Sequence, residues 1–225
     1  MNIILLSLIV INVLVSYKAI NDTYFFRKYE FHIGSIKSGE QLRIITSGFL
    51  HVDFQHLLFN MLTLYFFAPY VIYNLNVLYF LYIYFGSLIT GNLLTFYFHK
   101  NEYSYRAVGA SGAVTGVIFS AILLEPNLYM YGFIPGYVFG FAYLLFSIYG
   151  MKAKRDNIGH VAHFGGAIGG YIITLSKTPQ LITSEPITVG ALLVPIVVLF
   201  FLQKIIYRLL KLLFHSKGKL KILKY

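Results

Sequence analysis

The chain has 225 residues, of which 58% are hydrophobic and only 12% are charged; it contains no cysteine, and its formal net charge is +10. A soluble domain is roughly 45–50% apolar and ~25% charged, so the composition excludes an ordinary soluble domain and predicts a membrane protein. Without cysteine, disulfide bonds, thiolate metal sites and a cysteine nucleophile are excluded as well.

Stretches without charged side chains predict six membrane spans and a seventh near the C-terminus, because a spanning helix needs ~20 largely apolar residues. The first stretch, residues 1–17, lacks a positive start and a clear cleavage site, so we expect an uncleaved helix rather than a signal peptide. Residues 54–99 carry no Asp, Glu, Lys or Arg and predict a helical hairpin, broken near Pro69 and residues 74–76. The remaining spans are predicted over residues 107–124, 128–149, 157–176 and 186–203.

The segments between the spans are short and polar. Residues 18–48 mix charged and aromatic side chains and predict a loop in the headgroup layer. Residues 150–157 form a polar loop that is a candidate lid, and the basic tail after residue 203 predicts an amphipathic segment on anionic headgroups. The fold class is therefore predicted as an all-α polytopic membrane helix bundle, with a six-helix core over residues 1–178 and an extra span and tail over residues 179–225.

Small residues repeat every four positions in three of the predicted spans. Residues four apart share a helix face, and small side chains let two backbones approach closely. We therefore expect spans four, five and six to pack tightly. For span five, the alternative is that the glycines serve general membrane packing and have no role in function. The repeats are Gly112 and Gly116, then Gly132, Gly136 and Gly140, and then Ala162, Gly166 and Gly170.

Polar residues inside a bilayer are costly, so each cluster of them is a candidate site. His56 and Asn60 lie about 40° apart on one helical face at the start of span two and can donate toward one point. Ser111 lies between Gly109 and Gly112 at the start of span four, where free backbone N–H groups favour negative charge. Close packing without a chemical role is the alternative for this serine.

Two histidines, His160 and His163, open span six, and the glycines that follow permit close contact with another helix. A buried histidine that is hydrogen-bonded for stability is the alternative. If the spans alternate in direction, spans two, four and six begin on the same side, so His163 can reach span four. Together the clusters supply a hydroxyl, a base and an oxyanion site, which are the parts of acyl-transfer chemistry.

Three motifs occur in a fixed order. They are H-x-x-x-x-H-x-x-x-N at His51, His56 and Asn60, G-x-S-G at Gly109, Ser111 and Gly112, and A-H-x-x-G-x-x-x-G at Ala162, His163, Gly166 and Gly170. With this order and spacing, the sequence resembles the rhomboid family of intramembrane serine proteases over about residues 40–176. The resemblance implies a Ser-His dyad of Ser111 as nucleophile and His163 as general base, without a third acid. It also implies an oxyanion hole of His56, Asn60 and the Ser111 backbone amide.

The same resemblance implies supporting residues around the dyad. Arg43 matches a structural arginine of the first loop, and we expect His51, Gly109 and Gly112 to support the site. His160 matches a variable position, and we expect it behind the reacting groups or at the mouth of the site.

Two positions depart from the family pattern. The family often has an aromatic residue four positions after the serine, packed on the histidine ring, but here that position is Thr115. Support for the His163 ring must then come from elsewhere or be looser. The tryptophan often found before the loop arginine is Leu42. Neither position touches the reacting atoms in the family pattern, so we expect activity to survive.

The resemblance implies an endopeptidase that cleaves transmembrane segments of other membrane proteins, near helix-breaking or small residues because an intact helix hides its carbonyl groups. We expect no cofactor, no metal and no nucleic-acid partner, and the oligomeric state stays open. A metal-dependent protease is disfavoured because H-E-x-x-H is absent. A transporter and an inactive rhomboid-like binder are the alternatives, and the retained Ser111 and His163 argue against the binder.

The basic residues bear on orientation. If seven spans alternate, 17 of the 18 Lys and Arg residues lie on the face where the site opens, and Lys177 is opposite. Basic loops usually stay in the cytoplasm, which predicts an inward site, whereas the resemblance to bacterial rhomboids implies an outward one. If residues 186–203 do not span, the split becomes ten against eight. We expect the cell membrane of a prokaryote, and a one-sided reporter fused to the N-terminus decides the orientation.

Overall fold

The computed structural model describes residues 2–153 and 159–198. Residues 154–157 of the predicted lid, residues 199–203 of the predicted seventh span and the basic tail lie outside the described residues. Within the described ranges the chain is mainly helical, and its sheet structure is limited to two pairs of two-residue strands. The prediction of a mainly helical protein is therefore confirmed.

Eleven helices, one 3-10 turn and four short strands make up the part of the chain that the structure describes. The helices are α1 Ile3–Asn21, α2 Thr23–Tyr29, α3 Ile33–Lys37, α4 Arg43–Thr46, α5 Phe54–Asn74, α6 Val77–His99, α7 Ser111–Leu124, α8 Gly136–Ala153, α9 His160–Lys177, α10 Leu181–Ser184 and α11 Pro186–Val198. The 3-10 turn covers Ser47–Phe49. Strand β1 (Phe31–His32) pairs antiparallel with β2 (Arg106–Ala107), and β3 (Tyr129–Met130) pairs antiparallel with β4 (Ile134–Pro135).

Three helices, α1, α5 and α6, are long and apolar enough to cross a membrane. This finding agrees with the predicted membrane protein and with its first three spans. The helix α1 extends four residues beyond the predicted first span, to Asn21, because Asp22 with its extended backbone ends it. The hairpin breaks at Leu75 and Asn76, whereas Pro69 lies inside α5. Asn76 has a φ of 132°, and its side chain accepts hydrogen bonds from the first amides of α6.

Two predicted spans begin too early. The predicted fourth span starts at residue 107, but α7 begins only at Ser111, because Ala107 pairs with Phe31 in the β1–β2 ladder. The predicted fifth span starts at residue 128, but α8 begins at Gly136, since β3 and β4 form a hairpin first. Gly132 lies in that hairpin turn with a φ of +79°. The expectation that it continues a helical packing stripe is therefore wrong.

The helices α6, α7 and α9 pack against one another most extensively. Glycines allow this, because a Cβ on Gly166 would collide with the carbonyl oxygen of Gly112, and a Cβ on Gly170 with that of Gly116. A Cβ on Gly91 of α6 would lie 2.6 Å from the carbonyl oxygen of Ala162. The expected close packing of spans four and six is thus confirmed, and α6 is a third partner that the glycine repeats did not indicate.

The helix α8 packs more loosely than predicted. It contacts mainly α9, and its contact with α7 is smaller. A Cβ on Gly140 would lie 2.5 Å from Leu192 of α11 and 3.5 Å from Phe119 of α7, and these neighbours are side chains rather than backbone. The gap that remains beside α8 is where the candidate site opens.

Candidate active site

Ser111 and His163 face each other at the starts of α7 and α9. The Nε2 atom of His163 lies 2.7 Å from the Oγ atom of Ser111, which is hydrogen-bond distance. Close helix contact produces this geometry, because a Cβ on Gly112 would lie 3.1 Å from the carbonyl oxygen of Ala162. The residues next to the pair in sequence therefore fix the separation of the two backbones.

The helix α7 is short, with 14 residues. At 1.5 Å per residue it is about 21 Å long, which is less than the ~30 Å hydrocarbon thickness of a bilayer. Twelve of its residues, from Gly112 to Leu123, are buried in the protein, so its flanks face other helices rather than lipid. Ser111 thus lies at the first position of a short helix whose sides are covered by other helices.

Tyr143 of α8 supports the His163 ring from the side opposite to Ser111. Its hydroxyl lies 2.9 Å from Nδ1 of His163, and the two rings stack with centroids 6.0 Å apart and planes 25° apart. The Thr115 hydroxyl lies 3.3 Å from the Tyr143 hydroxyl and donates a 2.8 Å hydrogen bond to the Ser111 carbonyl oxygen. The aromatic support that Thr115 does not provide therefore comes from another helix.

Sequence reasoning did not find Tyr143. The helix α8 carries several tyrosines, among them Tyr137 and Tyr149, and no motif separates Tyr143 from them. Its contact with His163 depends on how α8 and α9 pack, which is a tertiary property. The one available signal was the missing aromatic residue at Thr115, which indicated that some other residue had to support the ring.

His56 and Asn60 lie on one face of α5 and line the same cavity as Ser111 and His163. The Asn60 amide donates one hydrogen bond, of 3.0 Å, to the His56 carbonyl oxygen, and its second N–H is available for another acceptor. Gly109 has a φ of +126°, and a Cβ on it would lie 2.7 Å from the His56 ring. A glycine is therefore required there both by the backbone and by the ring.

The cavity has a volume of about 650 Å³ and follows α7 away from Ser111. The helix α5 contributes Phe59 and Phe67, α7 contributes Ile118, and α8 contributes Phe139. Among the described residues that line it, none is Asp, Glu, Lys or Arg. The cavity is thus an apolar groove between α5 and α8 with polar groups concentrated at one end.

His51 is fully buried and joins three parts of the fold. The Ser16 hydroxyl donates to the Phe49 carbonyl oxygen, so it accepts from Nδ1 of His51 at 2.8 Å. Nε2 of His51 then accepts from the Ala110 amide at 3.3 Å, next to Ser111. Burial, and secondarily the nearby His56, lower the pKa of His51 to about 3, while Asp53 acts weakly in the opposite direction. His51 is therefore neutral at physiological pH and holds the turn before α7.

The other sequence-predicted residues lie around this centre. His160 is buried, with 4% of its side chain exposed, and packs edge-on against Phe146 at 5.4 Å. Its ring centroid lies 6.3 Å from that of His163. Arg43 is buried as well and donates to the carbonyl oxygens of Arg27 and Glu30 at 2.8 and 3.0 Å. It thereby fastens the segment before β1. Leu42, at the position of the family's tryptophan, is exposed.

A family model described as "Rhomboid domain" matches residues 38–180, which is more than half of the chain. The chain belongs to the rhomboid family. The matched range starts before α4 and ends after α9, so it contains every residue of the candidate site. Together with the three long apolar helices, this membership identifies an integral membrane protein.

Curated relatives agree with the family. The chain is 33% identical over 142 residues to the putative rhomboid protease YdcA of Bacillus subtilis, which covers 62% of this chain and 68% of that protein. It is 28% identical over 189 residues to the mitochondrial RHOMBOID-like protein 12 of Arabidopsis thaliana, with coverage of 73% and 55%. Rhomboid protease GluP of Bacillus subtilis is 31% identical over 136 residues, 26% of its length. The chain thus spans about half the length of the Arabidopsis relative and two thirds of YdcA.

Proposed function

We propose that this rhomboid is an intramembrane serine endopeptidase that cleaves transmembrane segments of other membrane proteins. The observation that carries the proposal is the 2.7 Å contact between Ser111 Oγ and His163 Nε2 at the polar end of an apolar cavity. Membership of a family whose named relatives include rhomboid proteases supports it.

The hydrogen-bond partners of His163 indicate which of its ring nitrogens carries the proton. The Thr115 hydroxyl proton points to the Ser111 carbonyl oxygen, so Thr115 can only accept from the Tyr143 hydroxyl. Tyr143 then has to accept from His163, which places the imidazole proton on Nδ1. Nε2 is left with its lone pair directed at the Ser111 hydroxyl. This is the tautomer that a general base requires.

The proposed reaction uses these groups in order. As the Ser111 oxygen attacks the scissile carbonyl carbon, its proton passes to Nε2 of His163. The negative charge that develops on the carbonyl oxygen is stabilised by N–H groups of Ser111, His56 and Asn60. Collapse of the tetrahedral intermediate breaks the C–N bond, and His163 gives its proton to the leaving amine. A water molecule then repeats the sequence on the acyl-enzyme and regenerates Ser111.

The cavity shape supports a membrane-embedded substrate. Its apolar walls on α5 and α8 match the side chains of a transmembrane segment, while the polar end at Ser111 accommodates an unwound peptide and water. We infer a core of six spans, α1, α5, α6, α7, α8 and α9, with α11 as a further span. In this arrangement α5, α7 and α9 all begin on the side where the site opens.

The full chain reconstituted in lipid vesicles tests this function. A panel of transmembrane peptides that carry small or helix-breaking residues near one end is incubated with wild type, Ser111→Ala and His163→Ala. We expect cleavage by the wild type alone. Cleavage that persists in both variants would contradict the assigned dyad, and capture of peptides without any cleavage would favour the inactive binder.

A further inference from the structure

A second depression adjoins the site cavity on its outer side. We call it the outer depression; it has a volume of about 660 Å³ and is walled by Arg27, Glu30 and Arg106. It is continuous with the site cavity, because four residues line both: Val52, His56, Val108 and Gly159. A polypeptide that passes Ser111 can therefore extend from one into the other.

The wall of the outer depression carries an excess positive charge. Glu30 is only 2% exposed and forms ion pairs with both arginines, with Nη1 of Arg27 at 3.1 Å and with Nη1 of Arg106. The two arginine side chains are 58% and 42% exposed. Among the described residues that line this depression, Glu30 is the one carboxylate, so two guanidinium groups face one negative charge.

These arginines are held in place rather than free to swing away. Glu30 fixes one Nη atom of each, and Arg43 donates to the backbone carbonyl oxygens of both Arg27 and Glu30. Arg106 belongs to β2, which pairs with β1 directly after Glu30. A guanidinium has five N–H donors, so each arginine keeps donors for a further acceptor. The wall is thus a preorganised set of hydrogen-bond donors for a carboxylate.

The two connected spaces differ in character. Among the described residues, the site cavity is lined by no Asp, Glu, Lys or Arg, whereas the outer depression is lined by Arg27, Glu30 and Arg106. A substrate that leaves the bilayer past Ser111 moves from an apolar to a basic environment. This change matches a polypeptide whose apolar span is followed by an acidic residue.

We propose that the outer depression binds an Asp or Glu side chain of the substrate polypeptide, located just outside its transmembrane segment, through Arg27 and Arg106. This inference rests on the proposed function, because it names the substrate class of that site. The carboxylate pairs with the donors that Glu30 leaves unused. A phosphate of an anionic lipid headgroup is the competing occupant, and continuity with the site cavity favours the substrate.

A scan of substrate charge tests the proposal in phosphatidylcholine vesicles. Transmembrane peptides carry a single Asp or Glu at successive positions outside the span, each with a matched Asn or Gln peptide. We expect a roughly three- to tenfold higher kcat/KM for the acidic member at one or two adjacent positions, as for a partly exposed ion pair. The preference should fall with added salt. If the acidic peptide and its neutral match are cleaved at equal rates at every position, the proposal is overturned, and no enzyme variant is needed to show it.

Variants then locate the preference. Since replacing the arginines alone leaves Glu30 buried without its partners, the main variant combines Arg27→Gln and Arg106→Gln with Glu30→Gln; Arg27→Gln alone is a second, more exposed variant. We expect both variants to lose the acidic preference. The matched control is Lys28→Gln, because Lys28 is exposed but does not line the depression, and it should keep the preference. A preference that survives in both arginine variants would overturn the proposal.

Two further outcomes separate the alternatives. If added phosphatidylglycerol changes the rates of acidic and neutral peptides equally, and only when the arginines are present, the depression binds a lipid headgroup and the proposal fails. If no peptide is cleaved in a Ser111-dependent manner, the proposed protease function itself fails. Ser111-dependent cleavage without charge preference overturns the substrate inference alone.

Discussion

Between α7 and α9 the backbones touch, whereas between α5 and α8 lies a cavity of about 650 Å³. The first region is built from glycines whose missing side chains let carbonyl oxygens fill the space. The second is lined by large apolar side chains that do not meet. Ser111 and His163 come from the closed region, Tyr143 contacts His163 from the α8 side of the open region, and Asn60 lines its α5 side. The molecule thus separates a tightly packed support for the proposed Ser111–His163 pair from a cavity that is the proposed path for substrate.

The closed region should be the less tolerant of added volume. A Gly170→Ala change places a Cβ against the carbonyl oxygen of Gly116, and backbone cannot rotate away. We expect a loss of about 3 kcal/mol in the free energy of unfolding, the upper end of the usual cost of overpacking. Gly190→Ala in α11 is the matched control, since a Cβ there meets no described atom within 4 Å, and it should change stability by less than about 1 kcal/mol. Unfolding in mixed micelles measures the stability of both variants. Equal losses in Gly170→Ala and Gly190→Ala would contradict the difference between the tightly packed region and α11.

On the open side, Asn60 is expected to have the largest effect on rate. Removing one oxyanion donor lowers kcat by about a hundredfold, because that interaction forms only in the transition state. We therefore expect Asn60→Ala to reduce kcat by about that factor with little change in KM. Asn74→Ala, at the other end of α5, serves as the control for loss of an asparagine. An unchanged kcat in Asn60→Ala would remove this residue from the oxyanion hole.

Tyr143 links the two regions, so its hydroxyl should have a smaller but specific effect. Tyr143→Phe keeps the stacked ring and removes the acceptor for the Nδ1 proton of His163. We expect kcat to fall about tenfold and the pH dependence of kcat to shift, because the protonated imidazole loses a partner. Tyr149→Phe, an exposed tyrosine on the same helix, should have no effect. A pH profile unchanged by Tyr143→Phe would show that the ring alone matters.

The smallest expected effect concerns His51, which links Ser16 of α1 to the Ala110 amide at the start of the closed region. Its pKa of about 3 in the folded protein lies below the usual 6.5, so below pH 6.5 the unfolded chain binds a proton that the folded chain does not. This group alone should therefore lower the free energy of unfolding by about 1 kcal/mol between pH 6.5 and 5.5. His51→Gln should remove that part of the pH dependence. If the free energy of unfolding changes with pH equally in wild type and His51→Gln, the low pKa of His51 is contradicted.

The closed region could be predicted from the sequence far better than the open one. The spacing of Gly112, Gly166 and Gly170 indicates close helix contact because a helix repeats every 3.6 residues. The same local rule placed His56 and Asn60 on one face. The hairpin of β3 and β4 cannot be found this way, since residues 128–135 are as apolar as a span and Gly132 shares the four-residue spacing of Gly136 and Gly140. The position of Tyr143 beside His163 depends on how α8 packs against α9, and no local sequence pattern predicts that packing.

The nucleophilicity of Ser111 is the central claim, and labelling with a fluorophosphonate probe tests it most directly. The reconstituted full chain is treated with the probe and the modified residue is located by mass spectrometry. Ser120 on the same helix is the internal control, because it is buried and donates to the Gly116 carbonyl oxygen. We expect labelling at Ser111 alone, abolished in Ser111→Ala and strongly reduced in His163→Ala. Equal labelling of wild type and Ser111→Ala, or labelling of wild type that does not depend on His163, would contradict the account.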